Sequence, residues 1–252
     1  MISDAESLIA IPPQLPPASA FSHLPQVTTR VLTAQDLVQW QGLRDEVIRD
    51  LPNPDFYVRE DDEAAFFTAH TGHRGQTIGV YHGEQLIAYA MVGFPQPQDA
   101  GHLGVVLGLA APLLDKVAHI SSCMVLPQWR GNGLQRTLLA VRLAMSQAQG
   151  RPYCLAMVSL HNHRSRHNLM RQGMHIGWTG DIDGLKRHVM RIDLHRGAHF
   201  DMADERLIDS ADLDAQSRAT RNGYVGVAEL RRDDDLVTLR YVRALHHGAT
   251  PL

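Results

Sequence analysis

Residues 118–134 read AHISSCMVLPQWRGNGL: a strand-like run that ends at Pro127, followed by Gln128-Trp129-Arg130-Gly131-Asn132-Gly133. Leu134 to Gln149 then carries Leu134, Leu138, Val141 and Met145 at near-helical spacing, with Arg136 and Arg142 off that stripe. Strand, tight glycine loop and helix in this order describe a phosphate cradle. Gly131 and Gly133 let the backbone approach a ligand with no Cβ in the way and permit positive φ. The N–H groups of the first helical turn have no partner within the helix, and the helix dipole favours an anion beside them.

Spacing separates the families that use such a cradle. A P-loop needs Lys and Ser or Thr after its last glycine, and Leu134-Gln135 stand there instead. A dinucleotide fingerprint needs a small residue at Arg136 and an acidic residue closing the next strand, yet Tyr153 to Leu160 runs into His161 and Asn162. The segment resembles the Gln/Arg-x-x-Gly-x-Gly/Ala coenzyme A loop of the GCN5-related N-acetyltransferases (GNAT). A second match lies downstream. Asn162 is placed to cap a helix, Ser165 is the small residue three on, and Gly173-Met174 closes the helix where the family usually has Gly-Phe.

The resemblance covers roughly residues 28–195. It implies an α/β (α+β) fold, with a mixed, mostly antiparallel twisted sheet flanked by helices. It also implies acetyl-CoA as co-substrate, held by Met124, Val125, Arg130, Gly131, Asn132, Gly133, Leu134, Gln135, Asn162 and Ser165. The family often has a Tyr seven residues after the Asn, to protonate the departing thiolate. Here that position is Leu169, which cannot donate a proton. A thiol of pKa ~8.5 is a tolerable leaving group without help. Ser165, His167 and Asn168 are nearby polar groups.

An amine must be neutral to attack a thioester, so the site needs a proton acceptor or a desolvating pocket. His119 and Ser121 alternate along the strand before the loop and are the candidates for the acceptor side, with His119 the first choice of base. His163, at the start of the second motif's helix, is a third candidate. His163 and His167 have helix spacing, but no Cys, Asp or Glu in that segment completes a metal set, so no metal is expected.

Composition excludes several functions. A net charge of −3 without a basic stripe argues against nucleic-acid binding. Cys123 and Cys154 lie in expected strands and read as reduced core thiols. The start MISDAESLIAIPPQ lacks the basic residues of a secretory signal, and Gly104 to Leu114 is too short to span a bilayer, so a cytoplasmic protein with no membrane partner is expected.

The chain divides into a Pro-rich lead-in (1–26), the acetyltransferase domain (27–195) and a C-terminal extension (196–252). Within the domain the pattern predicts strands at 27–32, 77–81, 86–94, 153–160, 174–181 and 188–194. Helices are predicted at Thr33 to Leu51, Phe56 to His70 and Gly104 to Lys116. In the extension, Asp201 to Ser217 reads as an acidic helix, and Tyr224 to Leu230 with Leu236 to Val242 as a terminal hairpin. No internal repeat is visible, and length excludes two tandem acetyltransferase domains.

The loop Asp50 to Tyr57 and the acidic Glu60 to Glu63 cluster suggest attraction of a cationic or amine-bearing acceptor. The reading that follows is acetyl transfer from acetyl-CoA to a primary amine of a small molecule, by direct attack in a ternary complex. A protein lysine or N-terminal acetyltransferase is one alternative, and a catalytically silent acyl-CoA-binding module is another. A homodimer is left open.

Overall fold

The computed structural model describes residues 21, 24, 26–231 and 236–245. Most of the Pro-rich lead-in lies outside them. Ten strands form one sheet: β1 (Val27–Val31), β2 (Gly75–His82), β3 (Gln85–Gly93), β4 (Val117–Val125), β5 (Tyr153–Ser159), β6 (His175–Ile182), β7 (Leu185–Asp193), β8 (His199–Asp209), β9 (Tyr224–Arg231) and β10 (Val237–Leu245). Their spatial order is β1-β2-β3-β4-β5-β7-β6-β9-β10-β8. Only β4 and β5 are parallel, and they pair for just three residues, Val117 to His119 against Tyr153 to Leu155. Beyond His119 the two strands part, because β5 continues its pairing with β7 while β4 stays on β3. That divergence opens the gap on which the site is built.

Among the described residues seven α-helices accompany the sheet: α1 (Leu37–Arg49), α2 (Glu63–Ala69), α3 (Leu103–Val106), α4 (Ala111–Leu114), α5 (Leu134–Ala148), α6 (His163–Met170) and α7 (Leu213–Arg221). α5 packs on β3 and β4. It buries Leu134, Leu138, Val141 and Met145, the stripe its sequence period predicts, and also Leu139 and Arg142, whose guanidinium donates to the Met91 and Ser121 carbonyls. Trp40 of α1, Phe67 of α2 and Tyr89 of β3 meet in one aromatic cluster, with ring centroids 4.8 and 5.9 Å from Trp40.

Several expected elements differ. The helix expected from Phe56 begins only at Glu63; a single turn at Pro54–Phe56 and an extended stretch precede it, since Asn53 and Asp62 each cap their own start. The helix expected over Gly104 to Lys116 is two short pieces, split where Gly108 takes φ 69 and Pro112 starts the second. Residues Asp201 to Asp209, read as helix, are strand β8. Its edge position leaves most of its side chains exposed, so charge on them is no obstacle. The helix there begins only after Asp212, which caps α7 by accepting from the Ala215 N–H.

Candidate acetyl-CoA and acceptor site

Gly133 is the N-cap of α5 and sits at φ 71, with Gly131 at φ 86, so the chain turns sharply into the helix. No side chain caps the helix, and its first internal bond is Thr137 N–H to Gly133 O at 3.0 Å. The N–H groups of Leu134, Gln135 and Arg136 therefore lie outside the helix ladder, at the positive end of a fifteen-residue dipole. A Cβ built on either glycine would have open space around it, so these residues are not demanded by neighbours within the protein. Their positive φ and the open approach to the helix end fit an anionic guest. The loop is held from outside: Arg130 Nη1 donates to Asp50 Oδ2 at 2.5 Å, Asn132 Nδ2 donates to Trp129 O at 3.1 Å, and Trp129 stacks on His82.

The second motif docks beside the first. Asn162 Oδ1 accepts from Ser165 N–H at 3.0 Å and starts α6, while Asn168 Nδ2 donates to Gln135 Oε1 at 2.7 Å and ties α6 to the start of α5. Gly173 ends the turn after α6 at φ 86. Leu169 is buried in the main core, so the position that often holds a tyrosine is occupied by packing.

β4 carries an irregularity where Met91 of β3 faces both Ser121 and Ser122, between the Cys123–Ala90 and Ile120–Val92 pairs. The bulge lies two residues past the last β4–β5 pair, so it faces the opened gap. Met124 and Val125 follow it, paired with Tyr89 and Ala88. Around the bulge two polar sets form. Ser122 Oγ lies 2.9 Å from the Tyr89 hydroxyl. Ser121 Oγ lies 3.1 Å from His70 Nε2, and His70 Nδ1 lies 2.9 Å from Phe66 O. A carbonyl can only accept, so His70 carries its proton on Nδ1 and its Nε2 accepts from the serine. Burial pushes the His70 pKa down, which keeps the ring neutral.

His119 is placed differently from its expected role as base. Its Nε2 accepts the Leu103 N–H at 3.1 Å, and its ring lies edge-on to His102. Burial, with the neighbouring His102 and His70, pushes its pKa down to about 3. The lone pair that would take a proton is already engaged with α3. His163 is remote from this set in its bonding: its Nδ1 accepts from Arg166 Nη2 at 2.6 Å, and Glu229 of β9 lies 3.9 Å away. His70 carried no signal in the sequence, because Ser121, fifty-one residues away, reaches it only in the folded chain.

The acidic loop is largely spoken for. Asp50 pairs with Arg130, Asp62 caps α2, and Glu63 pairs with Arg44 and Arg59. Asp55 bonds the Ser159 hydroxyl at the end of β5 and Arg187 of β7. Burial works against its charge, but these two partners outweigh it and hold its pKa below the usual carboxylate range. Asp55 thus fastens the α1–α2 connection to the end of β5 and to β7, and is not the free carboxylate expected from sequence. Both cysteines are free thiols. Among the described residues no group of three or more His, Cys, Asp or Glu is placed to hold a metal ion, and no helix is long and apolar enough to cross a membrane.

The acetyltransferase (GNAT) family model matches residues 40–174, more than half of the chain, and the chain belongs to that family. Solved structures share the fold at low identity. An N-acetyltransferase from Staphylococcus aureus Mu50 superposes with a TM-score of 0.51 at 16% identity, over 67% of this chain and 98% of that one. yncA of Salmonella typhimurium, with its cofactor acetyl-CoA, gives 0.52 at 17%, over 70% and 98%. Arabidopsis thaliana NAA60 in complex with acetyl-CoA gives 0.51 at 14%, over 66% and 97%. No curated protein matches the chain.

Proposed function

We propose that this protein transfers the acetyl group of acetyl-CoA to a primary amine of a small molecule, by direct attack in a ternary complex. The single observation that carries the reading is the uncapped start of α5 behind Gly131 and Gly133, facing the same gap between β4 and β5 as the bulge at Ser121 and Ser122. A pyrophosphate would sit on the Arg130–Gln135 loop, with Asn162 and Ser165 beside it. The thioester would then reach the bulged backbone of Ser121 to Val125. Backbone N–H groups released from pairing there would stabilise the oxyanion, a contribution of about 3 kcal/mol in comparable sites.

The bonding favours His70, through Ser121, over His119 as the proton acceptor. The amine nitrogen attacks the carbonyl carbon, the C–S bond breaks and the thiolate leaves, while the amine proton passes through Ser121 Oγ to His70 Nε2. Ser121→Ala and His70→Ala should each lower kcat by roughly 100-fold with KM for acetyl-CoA little changed. Full activity in both variants would remove this dyad from the mechanism.

The Asp55 bridge to Ser159 and Arg187 supports a small acceptor over a peptide, because it pins the α1–α2 connection at the end of β5, where an extended chain would have to pass. Thiol release from acetyl-CoA across amino acids, polyamines, amine antibiotics and short lysine peptides tests the reading. Turnover confined to peptides would move the assignment to a protein acetyltransferase. Acetyl-CoA binding with no turnover anywhere would favour a silent acyl-CoA-binding module.

A further inference from the structure

The C-terminal strands repeat the second half of the acetyltransferase domain. β5-α6-β6-β7 and β8-α7-β9-β10 have the same order of elements, and residues matched by caps and strand register are numbered fifty apart, or fifty-one in the last strand. Asn162 caps α6 by accepting from the third residue on, and Asp212 caps α7 in the same way. Gly173 and Gly223 close the helices at φ 86 and φ 79. Strand register agrees over five pairs, Ser159–Arg187 to Leu155–Arg191 matching Asp209–Thr238 to Glu205–Val242, and parts at a bulge in β8 between Glu205 and Asp201. Even the irregularity recurs, skipping Gly177 between Ile176 and Trp178 in β6, and Val227 between Gly226 and Ala228 in β9.

The two halves meet about an internal two-fold axis. The strand order β5-β7-β6-β9-β10-β8 reads the same from either end, and the single antiparallel pair at its centre joins the counterparts Ile176 and Gly226. A Cβ on Gly226 would lie 2.8 Å from Ile176 Cδ1 and 3.1 Å from its Cβ, so a larger residue there must push the Ile176 side chain aside. Packing is reciprocal, α6 against β9 and α7 against β6. The counterparts Arg166 and Gln216 are both fully buried and bond counterpart carbonyls, Arg166 to Leu160 O and Gln216 to Ser210 O. Each then crosses the axis: Arg166 to Glu229, and Gln216 to His188 at 2.7 Å. The copy has no counterpart of the β4–glycine loop–α5 segment, so it cannot build a cofactor cradle of its own.

We propose that residues 199–245 are a duplicated half-domain that acts as a built-in partner of the first, with Glu229 as a positioning residue for α6. Glu229 holds Arg166, Arg166 holds both the Leu160 carbonyl just before α6 and His163 in its first turn, and Asn162 lies between them. The partner therefore sets the start of α6, which the function proposed above places beside the cofactor; the effect on binding rests on that reading.

The test uses the full chain with Glu229→Gln and, three residues earlier on the same strand where it meets β6, Gly226→Val. Acetyl-CoA titration well below the melting temperature should give a Kd at least ~10-fold weaker in both. Hydrogen exchange without ligand should show α6 amides opening together with those of 199–245 in Gly226→Val. A folded Glu229→Gln that binds like the parent chain overturns the positioning role. Unchanged α6 protection in Gly226→Val overturns the built-in partner, even if the parent chain fails to bind acetyl-CoA and the cofactor reading falls separately. Should Glu229→Gln not fold, Gly226→Ala carries the same titration.

Discussion

Gly133→Glu should abolish acetyl-CoA binding and leave the protein folded. Residue 133 is at φ 71 with no atom near its would-be Cβ, so a side chain there costs strain of about 1 kcal/mol but no clash. The carboxylate would occupy the helix end meant for the pyrophosphate. Two unit charges ~4 Å apart at an effective dielectric of ~20 repel by about 4 kcal/mol, on the order of 1000-fold in Kd. Gly133→Ala separates the two costs, since it keeps the strain without the charge, and it should bind within ~10-fold of the parent chain. Calorimetric titration with acetyl-CoA, alongside thermal denaturation of each variant, checks both. Undiminished binding by a folded Gly133→Glu protein would refute the loop assignment and with it the proposed function.

The protein should lose stability steeply as pH falls below 6.5. His175 of β6 and His188 of β7 are almost fully buried, and burial pushes each pKa down to about 3. His175 accepts from Arg191 Nε, and His188 donates from Nε2 to Gln216 Oε1, so both are held as neutral rings. The unfolded chain takes up protons on them near pH 6.5, whereas the folded chain does so only near pH 3. Their contribution is thus complete above the unfolded pKa and falls as pH drops toward the folded one. Each loses about 1.4 kcal/mol per pH unit, so the pair loses about 4 kcal/mol between pH 6.5 and 5. Asp36, whose pKa its Arg30 partner draws down to about 2, loses its contribution only at lower pH, from just below 4 downward. Urea denaturation at pH 7 and pH 5 measures the difference, and equal stability at both would contradict it. Because His188 bonds α7 and His175 meets the Phe200 ring on β8, the duplicated half should loosen first.

The cofactor cradle was legible because it is local. A strand, two glycines at fixed spacing and an amphipathic helix occupy one continuous segment, and each residue's reason for being there is its own backbone geometry or helix face. Asn162, Ser165 and Gly173 were readable for the same reason, as cap, small residue and turn within one helix. The bonding partners of the candidate histidine and serine were not. His119 lies on the expected strand, but its lone pair is taken by Leu103 of an inserted helix, and the free partner of Ser121 is His70, fifty-one residues away in sequence. The acidic loop was only partly legible in a similar way, since Asp50, Asp55 and Glu63 pair with Arg130, Arg187, Arg44 and Arg59, three of these pairings between residues distant in sequence.

By itself the sequence determined the family, the glycine loop and the helix beside it, because short-range dihedral and capping preferences are written residue by residue. Tertiary structure alone decided which histidine meets Ser121, what Asp55 fastens and that the last three strands copy an earlier unit. The copy shares too few identities to be seen along the chain. It becomes visible only when strand pairing, a long-range property set by backbone hydrogen bonds and side-chain packing, brings Ile176 opposite Gly226.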